Sequence, residues 1–260
     1  MNKTVVLISD YGLGDPSFTE VILKLRALLP EVYFIPHATP PFSTLNTGFW
    51  ISQIALEPGI KNTFIYSNTA PRREHPQAQK ENEGEKLMYA KLTNGFEIMA
   101  VDAGFVFSFV KPYINKFYYV DVSNNGSQFR SRDNYPAVVA KMVYQDTKFI
   151  GRKEDLSIIP DYPDNVIASI DGYGNIKTTT RKSKVNFKFG ETITITINNK
   201  TLNALYSDGI FNAENETLVV APGSSGYNDM FIEIVFRGGS AARLFDNPTV
   251  ETPFILQKTK

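Results

Sequence analysis

The first residues of this chain that could do chemistry are two carboxylates near its start. Asp10 comes just after the apolar run Val5–Ile8, and Asp15 follows a turn that contains Gly12 and Gly14. Carboxylate oxygens accept hydrogen bonds, so Asp10 could bind the hydroxyls of a ribose diol. It could equally cap a helix or tie a turn. These residues alone leave both alternatives open.

The elements around Asp10 are predicted from the same stretch. The run Val5–Ile8 is typical of a strand buried in a parallel sheet, where ligands collect beyond the carboxyl ends of strands. Ser17 and Glu20 predict a capping box for the helix that follows, and Pro30 ends that helix. Asp10 is therefore expected at a switch from strand to helix.

Strands and helices are predicted to alternate through the first part of the chain. Asn94-Gly95 is a strong hairpin signal, and the polar stretch Glu74–Lys86 is predicted to be a solvated excursion. The expected strands are Val32–Ile35, Thr63–Tyr66, Leu87–Leu92, Phe96–Val101 and Phe117–Val122, and the expected helices are Ser43–Leu56 and one entered through Pro136.

Beyond about residue 151 the pattern changes to short strands without helices. The clearest of these is the alternating segment Thr192–Ile197, followed by Asn198-Asn199. We therefore predict an α/β protein with an N-terminal domain, residues 1–155, whose mainly parallel sheet has flanking helices. A smaller C-terminal domain, residues 166–260, is predicted to be an antiparallel β-barrel or sandwich.

Composition limits the possible functions. The 27 basic and 27 acidic side chains cancel, so no long-range field would attract nucleic acid or a membrane surface, and we expect a small-molecule ligand. The chain has no cysteine and two histidines, which argues against a metal site. No stretch approaches the roughly 20 apolar residues of a membrane span, and we expect a cytoplasmic protein.

Six groups of residues occur together in an order and spacing similar to those of a known family. The groups are Ser9-Asp10 with Gly12 and Asp15, His37 with Pro40-Pro41-Phe42, Asp102 with Gly104, Phe129 with Arg132-Asp133, Asp171 with Tyr173-Gly174-Asn175, and Ser224 with Gly226-Tyr227. Over nearly its whole length the chain thus resembles the S-adenosylmethionine (SAM) hydroxide adenosyltransferases, which are related to fluorinating and chlorinating enzymes.

The resemblance implies a homotrimer with sites shared between subunits, SAM or adenosine as the ligand, and no separate cofactor. It implies that Asp10 binds the ribose hydroxyls and that Phe42 packs beside the sugar. It implies that Asp171 and Ser224 hold the ammonium and carboxylate of the methionine part, and that Tyr173 and Asn175 contact the adenine end, with Tyr206 as another aromatic wall. Phe129 and Ser131 are further substrate-binding residues that it implies. From the residues alone, Tyr173 and Tyr206 could be ordinary barrel residues, and Asp171 could belong to a turn.

The chain departs from the family at its catalytic groups. Hydroxide enzymes of this family use an Asp, an Arg and a His, and the matching positions here are Asn68, Arg72 of the Arg72-Arg73 pair, and Arg130. The Asp is therefore lost or displaced, and the His is replaced. Ser131 stands where the hydroxide enzymes usually have glycine and the fluorinating relatives have serine.

The consequence of Arg130 differs between three hypotheses, and the residue could also simply turn outward to a neighbouring carboxylate in a decayed site. About 4 Å from a sulfonium, its guanidinium would repel SAM by about 4 kcal/mol unless an anion intervened. The first hypothesis is hydrolysis of SAM to adenosine and methionine by water or hydroxide at the ribose 5′ carbon, with a degenerate triad. The second is a catalytically silent SAM-binding or adenosine-binding protein. The third is adenosyl transfer to an anion, such as a halide, held by Arg130.

Overall fold

The structure, a computed structural model, describes residues 3–69, 71, 77–123 and 125–259. The chain divides into two compact units, Met1–Asp161 and Tyr162–Lys260. The predicted domains were residues 1–155 and 166–260.

The first unit contains one seven-stranded sheet with helices. Its strands are β1 (Lys3–Ser9), β2 (Val32–Ala38), β3 (Thr63–Asn68), β4 (Leu87–Leu92), β5 (Glu97–Val101), β6 (Ile114–Val120) and β7 (Ile150–Lys153), and its helices are α1 (Pro16–Leu28), α2 (Thr44–Ala55), α3 (Arg130–Asp133) and α4 (Pro136–Val143). The strand order is β2-β1-β3-β5-β4-β6-β7.

This sheet is mixed, so the predicted mainly parallel sheet is wrong in that respect. Strand β1 pairs in parallel with β2 and β3, and β3 pairs in parallel with β5. The pairs β4–β5, β4–β6 and β6–β7 are antiparallel. The reason is the predicted hairpin at Asn94-Gly95, which is confirmed: it reverses the chain between β4 and β5, and β6 then pairs with β4.

Both faces of the sheet are covered, as the apolar run in β1 predicted. Val5 and Leu7 pack in one core with residues of α1 and α4, while Val6 and Ile8 pack in another with residues of α2. Successive side chains of a strand point to opposite faces, so a strand buried on both sides needs a continuous apolar run. The polar residues then begin at the carboxyl end of β1, with Ser9 as its last residue and Asp10 just after it.

The N-terminus of α1 differs from the predicted capping box. Asp15 is the N-cap, and its Oδ1 accepts a hydrogen bond from the Ser17 backbone N–H at 2.7 Å. Pro16 occupies the first helical turn, where its missing N–H costs nothing. Glu20 pairs instead with Arg132: the Arg132 Nη1 lies 2.6 Å from the Glu20 Oε2.

The second unit contains the other seven-stranded sheet. Its strands are β8 (Ile167–Ile170), β9 (Ile176–Arg181), β10 (Thr192–Ile197), β11 (Lys200–Tyr206), β12 (Leu218–Pro222), β13 (Phe231–Phe236) and β14 (Phe254–Lys258), and its helix is α5 (Ala241–Leu244). The strand order is β14-β10-β11-β12-β13-β9-β8, and β11–β12 is a parallel pair.

The second sheet curls into a half-barrel around its own core. The isoleucines of the alternating segment, Ile193, Ile195 and Ile197, are fully buried in that core, which explains the Thr-Ile alternation. An isolated bridge between Val166 and Pro253 joins the segments beside the two edge strands. The predicted antiparallel character holds for every other pair of neighbouring strands, while β11–β12 departs from it.

Over the described residues, no helix is both long and apolar enough to cross a membrane.

Candidate functional site

The main candidate site is a cavity in the first unit, at the carboxyl ends of β1 and β3. Its volume is about 550 Å³. Its described lining residues are Asp10, Tyr11, Asp15, Ser17, Pro41, Phe42, Asn68, Gln79, Asn82, Glu83, Gly84, Glu85, Gln128, Phe129, Arg130 and Ser131. A cavity of this size, beyond the ends of parallel strands, is typical of a small-molecule site.

The cavity brings together the predicted site residues of the first unit. Those that line it are Asp10, Phe42, Asn68, Phe129, Arg130 and Ser131. Arg72, which was predicted to be catalytic, lies outside the described residues. The segments that meet here are far apart in sequence, so their meeting is a result of the fold.

Asp10 ties the loop that leads into α2. Its Oδ2 accepts a hydrogen bond from the backbone N–H of Phe42 at 2.9 Å. Phe42 has a φ of 64°, a left-handed conformation that is costly for a bulky side chain, and its ring is 49% exposed. Of the two structural alternatives, the tie to a turn is therefore correct, while the helix is capped by Asp15.

A buried network of hydroxyl groups lies at the N-terminus of α2, next to this loop. The Thr47 hydroxyl donates to the Ser43 carbonyl at 2.9 Å and lies 3.2 Å from the Thr39 hydroxyl and 2.9 Å from that of Thr69. All four residues are buried. The network links the segments that follow β2 and β3 to α2, so it holds the loops beside the cavity in fixed positions.

Tyr11 is a lining residue that the sequence did not single out. Its hydroxyl lies 2.5 Å from Ser131 Oγ, and its ring packs edge-on against Phe129 at a centroid distance of 5.7 Å. Burial raises the pKa of Tyr11 to about 12, so the phenol is neutral at physiological pH. Its position directly after Asp10 was the one available signal.

Helix α3, which carries Arg130 and Ser131, is a single turn that is fixed by contacts with other elements. The Tyr66 hydroxyl donates to the Ser131 carbonyl at 3.0 Å. Arg132 bridges Glu20 at 2.6 Å and Asp133 at 2.7 Å. The Arg132 guanidinium, with the Ser127 hydroxyl, lowers the pKa of Asp133 to about 2.

Arg130 is bound to the opposite wall of the cavity. Its Nη1 donates to the Asn82 carbonyl at 3.2 Å, and its Nη2 lies 4.0 Å from Oε2 of Glu85. The Glu85 side chain is only 6% exposed. A Cβ at Gly84 would lie 2.0 Å from Arg130 Nη2, so the guanidinium packs directly against the Gly84 backbone.

The prediction that Glu74–Lys86 is a solvated excursion is wrong at its C-terminal end. Residues 77–83 are exposed, but Glu85 is buried and Asn82–Glu85 line the cavity. Residues 72–76 lie outside the described part. A run of polar residues cannot reveal that one of its carboxylates is buried, because burial depends on what the fold packs beside it, and the charged partner of Glu85, Arg130, lies on a distant segment.

The described residues of the cavity wall include more carboxylates than guanidinium groups. Among its described lining residues, the carboxylates of Asp10, Asp15, Glu83 and Glu85 face a single guanidinium, that of Arg130. The whole chain has no net charge, so this imbalance is local. It favours a cationic ligand over an anionic one.

Three predicted residues of the second unit line a different cavity, of about 690 Å³. They are Asp171, Tyr173 and Asn175. Asp171 Oδ1 accepts from the backbone N–H groups of Tyr173 at 2.9 Å and Asn175 at 3.0 Å, so it organises its own turn. The Tyr173 side chain is 82% exposed, so it is not a barrel-core residue.

Tyr206 and Ser224 belong to neither set of lining residues. Tyr206 is 3% exposed and stacks on Phe189 at 5.3 Å, as an ordinary barrel residue would. Ser224 lies against a buried ion pair in which Lys177 Nζ donates to Glu233 Oε1 at 2.7 Å. Within the second unit, Tyr206 therefore packs in the core and Ser224 contacts an ion pair.

Among the described residues, no group of three or more His, Cys, Asp or Glu side chains is arranged to hold a metal ion.

Comparison with known proteins identifies the fold only. No protein-family model matches the sequence, and no curated protein matches it. Solved structures with a similar fold include an uncharacterized conserved protein from Thermotoga maritima, with a TM-score of 0.77, 16% identity, and coverage of 98% of this chain and 100% of that one. They also include a conserved hypothetical protein from Thermus thermophilus, with a TM-score of 0.69, 16% identity, and coverage of 98% and 99%. A likeness at this identity assigns no function.

Proposed function

We propose that the cavity of the first unit binds SAM and that the protein hydrolyses it to adenosine and methionine. The observation that carries the proposal is the meeting of Asp10, Asn68, Phe42 and Phe129 around one acidic cavity of about 550 Å³. SAM carries a sulfonium, so its binding is favoured by a wall with more carboxylates than guanidinium groups.

The adenosyl part of SAM matches the polar and aromatic groups of this wall. A carboxylate has about four lone-pair sites, so Asp10, which accepts from the Phe42 N–H, is of a type that can also accept from a ribose diol. The half-exposed Phe42 ring offers an apolar face for the sugar. Asn68 can donate and accept hydrogen bonds at the end of β3.

The Arg130–Glu85 ion pair answers the main objection to SAM binding. An isolated guanidinium would repel the sulfonium, but Glu85 neutralises Arg130 across 4.0 Å. The same pairing argues against adenosyl transfer to a halide, because an anion at Arg130 would lie beside the Glu85 carboxylate. We therefore do not propose halide-dependent activity.

The proposal retains a homotrimer with shared sites. In it, Asp171, Tyr173, Asn175, Tyr206 and Ser224 of the second unit complete the site in the assembly, as the family resemblance implies. Their described contacts lie within their own unit. A silent SAM-binding protein is the outcome if binding occurs without cleavage.

Calorimetry with SAM and with adenosine tests the binding part. Incubation with SAM, with and without halide, followed by chromatography for adenosine, halogenated adenosine and methionine, tests the reaction. We expect SAM to bind more tightly than adenosine, and halide-independent release of adenosine. If neither SAM nor adenosine binds, the proposal is overturned.

Asp10 provides the sharpest test of ligand placement. Asp10→Asn keeps an acceptor for the Phe42 N–H but removes the charge, and we expect adenosine affinity to fall by about 1–3 kcal/mol. The control ligand is 2′,3′-dideoxyadenosine, which has no diol and should bind the parent and the variant equally. Equal losses for both nucleosides would show that Asp10 acts only through the loop.

A further inference from the structure

We infer that Glu85 is the carboxylate that holds the attacking water in this protein, in place of the missing aspartate at the end of β3. This inference rests on the proposed hydrolysis of SAM. Glu85 lies in the stretch that the sequence indicated to be solvated, and no motif pointed to it.

The first observation is the unusual surroundings of this carboxylate. Glu85 is 7% exposed, yet it lines the cavity. Its charged partner, Arg130, is 4.0 Å away, beyond hydrogen-bond distance, and within the described part of the chain the carboxylate makes no direct hydrogen bond. A buried carboxylate in this position needs hydrogen-bond donors, and a water that reaches it from the cavity supplies them.

The second observation is that Arg130 is fixed, so it can fix Glu85. Its Nη1 bonds the Asn82 carbonyl, its Nη2 occupies the space that Gly84 leaves, and it lies on α3. The Glu85 carboxylate lies next to this guanidinium, and a carboxylate is a group that can accept a proton from water. Arg130 is therefore a positioning residue, and Glu85 touches the reacting water.

The step balances with the substrate and water alone. The water oxygen forms a bond to the ribose 5′ carbon, and the bond from that carbon to sulfur breaks. The electron pair of the broken bond stays on sulfur, which becomes the neutral thioether of methionine. One water proton passes to Glu85 and then to solvent, and the other stays on the 5′ hydroxyl of adenosine.

The test compares Glu85→Gln with the double variant Glu85→Gln/Arg130→Gln. Both remove the proton acceptor, so kcat should fall by about 100-fold or more in each. The single variant leaves Arg130 unpaired beside the sulfonium, so its KM should rise, whereas the double variant restores the charge balance and should return KM to within about threefold of the parent. The control is Glu57→Gln, an exposed residue outside the cavity, with unchanged kcat and KM.

The outcomes separate this inference from the proposed function. If the parent binds SAM calorimetrically but releases no adenosine, the role of Glu85 is overturned and SAM binding stands. If the double variant retains kcat within about threefold of the parent while KM is normal, Glu85 is not the water-holding group and hydrolysis stands. Circular dichroism melts of all the variants identify any that fail to fold, and the double variant, with no unpaired buried charge, is the one designed to remain folded.

Discussion

At the level of single residues, Arg130 is the position whose inferred interactions changed most between the sequence and the structure. From its place in the sequence it could repel a sulfonium, hold an anion or turn outward to a carboxylate. In the structure it is paired with Glu85 and bonded to the Asn82 carbonyl. Its charge is compensated, so its removal should make the cavity more negative.

We predict that Arg130→Gln tightens SAM binding by about tenfold at low salt, because the Glu85 charge is then uncompensated. Neutral adenosine should bind with nearly unchanged affinity. Calorimetry with both ligands at two salt concentrations measures the difference, which should shrink at higher salt. An equal gain for adenosine would show that space, and not charge, is responsible.

A second prediction at this scale concerns Tyr11. Burial raises the pKa of Tyr11 from 10.0 to about 12, so the neutral phenol stabilises the folded state fully below pH 10 and this contribution is lost as the pH rises through 12. Tyr11→Phe also loses the bond to Ser131, at a cost of about 1 kcal/mol at neutral pH. The stability difference between parent and variant, measured by urea unfolding, should therefore decrease between about pH 10 and 12. A constant difference would contradict the burial of the hydroxyl.

At the level of elements, α3 is the piece of secondary structure on which the site depends. A four-residue helix is not stable on its own. It is fixed by Tyr66 from β3 and by the Arg132 bridge to α1. The position of Arg130 and Ser131 therefore depends on contacts with the core.

We predict that Tyr66→Phe destabilises the protein by about 1–3 kcal/mol, because the buried Ser131 carbonyl loses its donor. SAM affinity should fall as well, since α3 is then less well fixed. Urea denaturation and calorimetry measure the two effects. The matched control is Tyr33→Phe on the edge strand β2, where the side chain is 61% exposed and no loss is expected.

At the level of the whole molecule, the two units hold separate sets of the predicted site residues. The first unit holds Asp10, Phe42 and Arg130 in one cavity, and the second holds Asp171 and Asn175 in another. A site shared between copies would bring both sets to one ligand.

We predict that the protein sediments as a trimer, at three times its chain mass of 29.2 kDa. SAM affinity should then fall when the trimer is diluted to subunits, because part of the site is lost. Analytical ultracentrifugation with titrated SAM tests both statements. A monomer that binds SAM with full affinity would contradict the shared site.

The features that could be predicted from the sequence are mostly local. The apolar run of β1 required a strand buried on both faces, which sets Asp10 at its end, and Asn94-Gly95 required the hairpin. Phe42, Asn68 and Phe129, which the family resemblance implies as site residues, line one cavity with Asp10. The buried strand and the hairpin each depend on residues that are neighbours in the chain.

Features that depend on distant pairing became visible only in the folded chain. The hairpin makes β4 and β5 antiparallel, but the placement of β4 between β5 and β6 is not specified by any local pattern. The pairing of Glu85 with Arg130 joins two segments that are far apart in the sequence. A side chain's burial, partners and charge state depend on what the fold places beside it, and residue type alone does not contain that information.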